Sequence, residues 1–128
     1  MKKTKKPFKT LKEVSDFGGK LRNTFYLRGW TINFSRHEGQ TDSVAECTPE
    51  EQYRRAELRF YPKFWQQPYD DQVEIIVHEM CHIITGVQNN LICALHDGQH
   101  VSVHQRREAF ERETSWMSDI IVPFVKDL

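Results

Sequence analysis

Apolar residues at Leu11, Val14, Phe17, Leu21 and Phe25 recur at spacings of three and four, which predicts a first helix, weakened at Gly18-Gly19. Gly29 breaks the pattern. Trp30-Thr31-Ile32-Asn33-Phe34 then alternates large apolar with smaller polar groups, the period of a strand. Ser35 to Glu51 is polar, carries Gly39 and Pro49, and reads as a loop or strand connection. Alternation returns in Arg55-Ala56-Glu57-Leu58-Arg59-Phe60-Tyr61, with Ala56, Leu58 and Phe60 on one face. Pro62 ends this second strand, and Lys63 to Pro68 reads as an aromatic connection.

Asp71 and Glu74 have capping-box spacing, and Asp70 with Asp71 suits the positive end of a helix. The helix is expected to run to about Thr85, with Gly86 as its stop. Val73, Val77, Met80 and Ile84 form its apolar stripe. Val87 to Val103 shows no clear pattern. A last helix is expected over His104 to Val122, with Pro123 in its end region. The order α-β-β-α-loop-α predicts an α+β domain. A length of 128 residues suits one compact unit, expected over residues 9–128 after a disordered basic tail, residues 1–8.

Composition narrows the classes. Lys+Arg and Asp+Glu balance at 18 each, so net charge gives no argument for a nucleic-acid partner. The lysine-rich start, MKKTKKPFK, is the only feature in that direction. No apolar stretch follows it, so it is no signal peptide, and no run has the length to span a bilayer. The three cysteines, Cys47, Cys81 and Cys93, are odd in number and form no C-x-x-C pair. A disulfide framework is not expected, and the reducing cytoplasm fits better.

The chemistry concentrates in His78-Glu79-Met80-Cys81-His82, an H-E-x-x-H pattern. A helix turns by about 100° per residue, so positions i and i+4 share a face. His78 and His82 therefore point together, opposite the apolar stripe. Two imidazoles at this spacing suit zinc, and Glu79 between them suits a general base acting on a metal-bound water. Cys81, at an x position, is expected to be a small packing residue.

Two histidines leave a third ligand to find. The pattern H-E-x-x-H-x-x-G-x-x-H would need Gly at 85 and His at 88; the chain has Thr85 and Gln88. The remaining candidates are a glutamate of the last helix (Glu108, Glu111 or Glu113) or a histidine of the preceding run (His96, His100 or His104). By helical angle Glu111 lies at the edge of the face carrying Phe110, Met117, Ile120, Ile121 and Phe124. Its neighbours Thr114, Ser115 and Ser118 are small, which lets two helices approach. Glu108 and Glu113 stay open on this ground alone.

The segment Glu111-Arg112-Glu113-Thr114-Ser115-Trp116-Met117-Ser118 resembles the E-x-x-A-[D/N]-x-[F/L]-A signature of gluzincins, whose first Glu is the third zinc ligand. Thr114, Ser115, Met117 and Ser118 depart from it in identity more than in size. From about Gly29 to Val122 the chain resembles small phage and prophage zinc metallopeptidases related to the ImmA/IrrE group. The resemblance implies a minimal zincin-like fold and a cytoplasmic peptidase of a bacterium or of a phage or prophage that it carries. It implies Zn2+ on His78, His82 and Glu111, Glu79 as catalytic base, and a peptide or protein substrate. It also implies that the R-R-A-E-L-R-F strand edges the cleft. A rival resemblance is to SprT-like DNA-associated proteases, which share H-E-x-C-H but use a downstream His. A zinc-containing regulatory module without hydrolysis is a further alternative. Tyr61, Tyr69, His96, His100 and His104 are the candidate donors to an oxyanion.

Overall fold

The computed structural model describes residues 5–25, 27–39, 41–95, 103–126 and 128, with side chains for all of these except 51, 87–95, 103, 105, 106, 109, 110 and 116. In chain order these form α1 (Leu11–Thr24), β1 (Thr31–Arg36), β2 (Ala45–Glu50), a single 3-10 turn (Glu51–Tyr53) and β3 (Arg55–Phe60). Then come α2 (Pro62–Trp65), α3 (Tyr69–Leu95) and α4 (Val103–Val125). The domain is α+β. Its sheet has the order β1-β3-β2, with β1 parallel and β2 antiparallel to the central β3.

One face of the sheet makes the core. Ala56, Leu58 and Phe60 of β3 are buried, while Glu57 and Arg59 alternate to the polar face. From α3, Val73, Ile76, Val77, Met80 and Ile83 are fully buried or nearly so, and Val14, Phe17 and Leu21 come from α1. α1 runs unbroken through Gly18-Gly19. Gly18 has a packing reason: a Cβ there would sit 2.3 Å from Cζ of Phe34, so helix and β1 approach to glycine distance. No helix among the described residues is long and apolar enough to cross a membrane.

Four expectations are corrected. The polar stretch from Ser35 to Glu51 contains β2, and Pro49 belongs to that strand. Pro62 opens α2 at a position where its missing N–H costs nothing, rather than merely ending β3. α3 starts at Tyr69, with Gln72 N–H bonded to the Pro68 carbonyl at 3.0 Å, and passes through Gly86 to Leu95. Gly86 is therefore no stop. It is buried, and its missing Cβ would meet Pro49 Cγ at 3.6 Å, so it lets β2 lie close. α4 likewise continues through Pro123 to Val125, whose side chain is buried in the core.

The expected tail boundary also moves. Phe8 is a core residue, and its backbone is clamped by the fully buried Gln72. Gln72 Oε1 accepts from Phe8 N–H at 2.7 Å, and its Nε2 donates to the carbonyls of Phe8 at 3.1 Å and Phe64 at 3.2 Å. A buried amide with every bond made is stabilising; the same neighbours left unpaired are costly. Gln72→Leu is therefore expected to lower stability by about 2–4 kcal/mol in urea unfolding. It should also expose Lys9 to trypsin; unchanged stability together with an unchanged digestion pattern would disprove the clamp.

Candidate metal centre

His78 and His82 sit one turn apart on α3, with ring centroids 5.0 Å apart and planes at 84°. They face α4, away from the buried stripe. Glu111 of α4 spans the pair. Its Oε2 lies 3.3 Å from His78 Nε2, and its Oε1 lies 3.0 Å from His82 Nε2. The donor atoms of His78, Glu79 and His82 also lie within 4.8 Å of one another. Metal bonds of about 2.0–2.1 Å in a tetrahedron set neighbouring donor atoms about 3.3 Å apart. Each imidazole Nε2 already lies near that spacing from a Glu111 oxygen, so the residues fit a divalent cation.

The far nitrogens of the two rings are held by hydroxyls of α4. Thr114 Oγ1 is 3.2 Å from His82 Nδ1 and 3.1 Å from Thr85 Oγ1, and Thr85 donates to the Cys81 carbonyl at 3.1 Å. Thr114 Oγ1 thus stands within hydrogen-bond distance of His82 Nδ1, and a ring that gives its Nδ1 proton to that oxygen turns a lone pair on Nε2 toward Glu111, the form in which a cation can lie between them. Ser115 Oγ makes the matching approach to His78 Nδ1 at 3.5 Å, the outer limit of a hydrogen bond. Thr114 and Ser115 stand where the gluzincin-like segment departs from its pattern, and both contact the imidazoles.

Glu79 turns the other way, toward β2, and is buried. Its pKa is pushed up to about 8, first by burial and then by the charges of Glu111 and Glu46. Arg59 and the backbone N–H of Cys47 pull against that rise. The Cys47 contact follows from the register. Tyr61 N–H donates to the Val44 carbonyl at 3.0 Å, so alternate residues Val44, Glu46, Thr48 and Glu50 turn their backbone groups to β3. Ala45, Cys47 and Pro49 turn theirs outward, where Pro49 has no N–H to strand. β2, not β3, is therefore the edge along the site, which corrects the expected placement of the R-R-A-E-L-R-F strand.

Two hollows open along β2, of about 350 and 650 Å3, and both are lined by Ala45 and Glu79. The remaining candidates lie elsewhere. Glu108 pairs with His104 at 3.3 Å, and Glu113 is exposed. His96 and His100 fall outside the described residues. Tyr61 OH donates to Glu46 at 3.0 Å and Tyr69 OH to the Lys126 carbonyl at 2.9 Å, so both hydroxyls are engaged. Cys81 is buried, and burial pushes its thiol up to about 11; burial raises that of Cys47 further. Neither is poised as a thiolate. No family model, curated protein or solved structure matches the chain, so the site is read from its geometry.

The hydroxyl relay predicts that Thr114→Val, close in size, weakens metal binding about 10- to 100-fold in a competitive chelator titration. An unchanged affinity would remove Thr114 from that role. Glu79 predicts a pH dependence for the metal-free chain. Its folded value of about 8 exceeds the ordinary 4.5, so the folded state keeps a proton that the unfolded state has lost. That stabilisation is complete below about 4.5 and is lost as pH rises to about 8. His82 is shifted down from 6.5, chiefly by burial, and its contribution rises with pH only up to that value. Above it, in chelator, the parent should lose up to about 1.4 kcal/mol per pH unit while Glu79→Gln stays flat. Parallel curves for the two proteins would count against a protonated Glu79.

Proposed function

We propose that the chain is a zinc-dependent metallopeptidase of minimal zincin-like architecture. His78, His82 and Glu111 hold the ion, and Glu79 is the general base. The observation that carries this reading is the single carboxylate of Glu111 set against both imidazole Nε2 atoms, at 3.3 and 3.0 Å. Two imidazoles and a carboxylate suit zinc and also suit ferrous iron. The buried second carboxylate supports hydrolysis: Glu79 lies beside the ligands yet is tied to the Cys47 N–H rather than to an imidazole. The reading agrees with the resemblance to small phage-type peptidases of the ImmA/IrrE group.

Bound zinc supplies a Lewis acid and a water that ionises near neutral pH. The chain's own residues do the rest. Glu79 accepts the proton of the attacking water on a carboxylate oxygen and returns it to the leaving amine. The Cys47 N–H fixes the carboxylate against β2, so its free oxygen faces the cleft. Thr114 and Ser115 hold the rings with Nε2 inward. An extended peptide lies along β2, where the outward backbone groups of Ala45 and Cys47 offer strand addition.

Elemental analysis of purified protein should find about one zinc per chain and strong loss of it in Glu111→Ala. Glu79→Gln should keep the metal while peptide turnover falls about 10²- to 10⁴-fold. Full zinc in Glu111→Ala would move the third ligand elsewhere. Zinc-loaded parent that cleaves no peptide would leave a metal-containing binding module.

A further inference from the structure

The two hollows beside Glu79 differ in the charges they leave without a partner among the described residues. The smaller one, at the start of α3, is lined by Asp71 and Glu74, both exposed and without an ion pair among the described residues. The larger one, between β2 and α4, is lined by Arg59 and Arg107 together with Glu46, Glu79 and Glu111, and these three carboxylates are engaged: Glu46 with Arg59, Glu79 with the Cys47 N–H, and Glu111 with the histidines. Arg59 is committed to the sheet: it donates to Glu46 at 3.2 Å and Thr48 at 2.7 Å, and it lies 3.7 Å from Glu57. Arg107 is exposed and has no partner among the described residues. It stands one turn before Glu111, the spacing of a helical ion pair, yet both Glu111 oxygens are on the histidines. The guanidinium is left facing the cleft, on the opposite wall from β2.

We propose that this cleft selects its substrate by charge. The segment it takes carries a carboxylate on one side of the cleaved bond, received by Arg107, and a cationic group on the other, received by Asp71 and Glu74. The inference rests on the peptidase reading for the position of the bond, and it adds the class of peptide. A guanidinium takes a carboxylate through two parallel hydrogen bonds, which a neutral amide cannot return. Opposite charges at the two ends of one cleft also fix the direction in which a chain lies, because the reversed order sets like charges together. The carboxylate can be a side chain or the free end of a peptide.

Binding is measured on the Glu79→Gln protein, with and without zinc, by fluorescence anisotropy. The probes are dye-labelled, end-blocked alanine-rich peptides with one Glu and one Lys at increasing separation, their order-reversed partners and their Gln-for-both partners. A second set has a free C-terminus as its only carboxylate. One order should bind at least about tenfold more tightly than its reverse and than the neutral peptide, and the preference should shrink with added salt. Arg107→Gln should abolish the advantage of the carboxylate, and Arg107→Glu should invert it; Glu74→Lys should do the same for the cation. Preference for the second set alone assigns the carboxylate to a chain end. Equal binding of all three patterns, or an order preference that survives Arg107→Glu, overturns the proposal. Parent turnover is read separately. Selective binding without cleavage overturns the hydrolase and keeps charge selection; cleavage blind to charge does the reverse.

Discussion

The distance between α3 and α4 governs everything at the site. A glutamate reaches only a few ångströms from its backbone, and Glu111 must span two imidazoles one helical turn apart. The helices therefore have to meet through small side chains. Thr114 and Ser118 fill the contact, both buried, and Ser118 Oγ has no hydrogen-bond partner among the described residues. Size is what the contact takes from Ser118. Thr114 supplies size and a hydroxyl at once, placed where an alanine would only fill space. Tyr69 and Lys20 hold the far end of α4 through the carbonyls of Lys126 and Leu128, and Val125 packs into the core. α4 is thus fixed beyond Glu111 as well as beside it.

Much of this was visible in residue order. The period-2 face of Ala56, Leu58 and Phe60 and the i, i+4 histidines are local patterns, and local geometry decides them. The small residues that follow Glu111 pointed toward it without excluding Glu108 or Glu113, and the resemblance of its segment to the gluzincin signature made the choice. The Thr114 bond to His82 was not foreseen. Thr114 had been noted for its small size and as a departure from a pattern, although a hydroxyl at such a place is a potential partner for a ring nitrogen.

What sequence reading missed has a common cause: Gly, Pro and polar residues take their meaning from neighbours distant in sequence. Pro49 looks like a strand breaker until the register turns its nitrogen away from β3. Gly86 looks like a helix stop until β2 is placed against it. Gln72 looks like a surface residue until it closes on the backbone of Phe8, 64 positions earlier. Each is one half of a tertiary contact. The same holds for the edge of the sheet, since pairing order cannot be read from any single strand.

The edge strand also bears on how a substrate could be held. β2 turns the carbonyls of Ala45, Cys47 and Pro49 outward, but it offers few donors. The N–H of Cys47 is engaged with Glu79, and Pro49 has none, which leaves that of Ala45. A peptide added here finds acceptors for its own N–H groups and little to satisfy its carbonyls, so the backbone ladder is short. The same poverty of donors makes the edge a poor template for unintended strand pairing. Affinity and direction would then come from side chains, and the cleft charges without a partner among the described residues are Asp71 and Glu74 at one end and Arg107 at the other. On the proposed peptidase reading, the bond that steadies Glu79 would weaken the generic part of peptide recognition and shift selection onto the flanking charges.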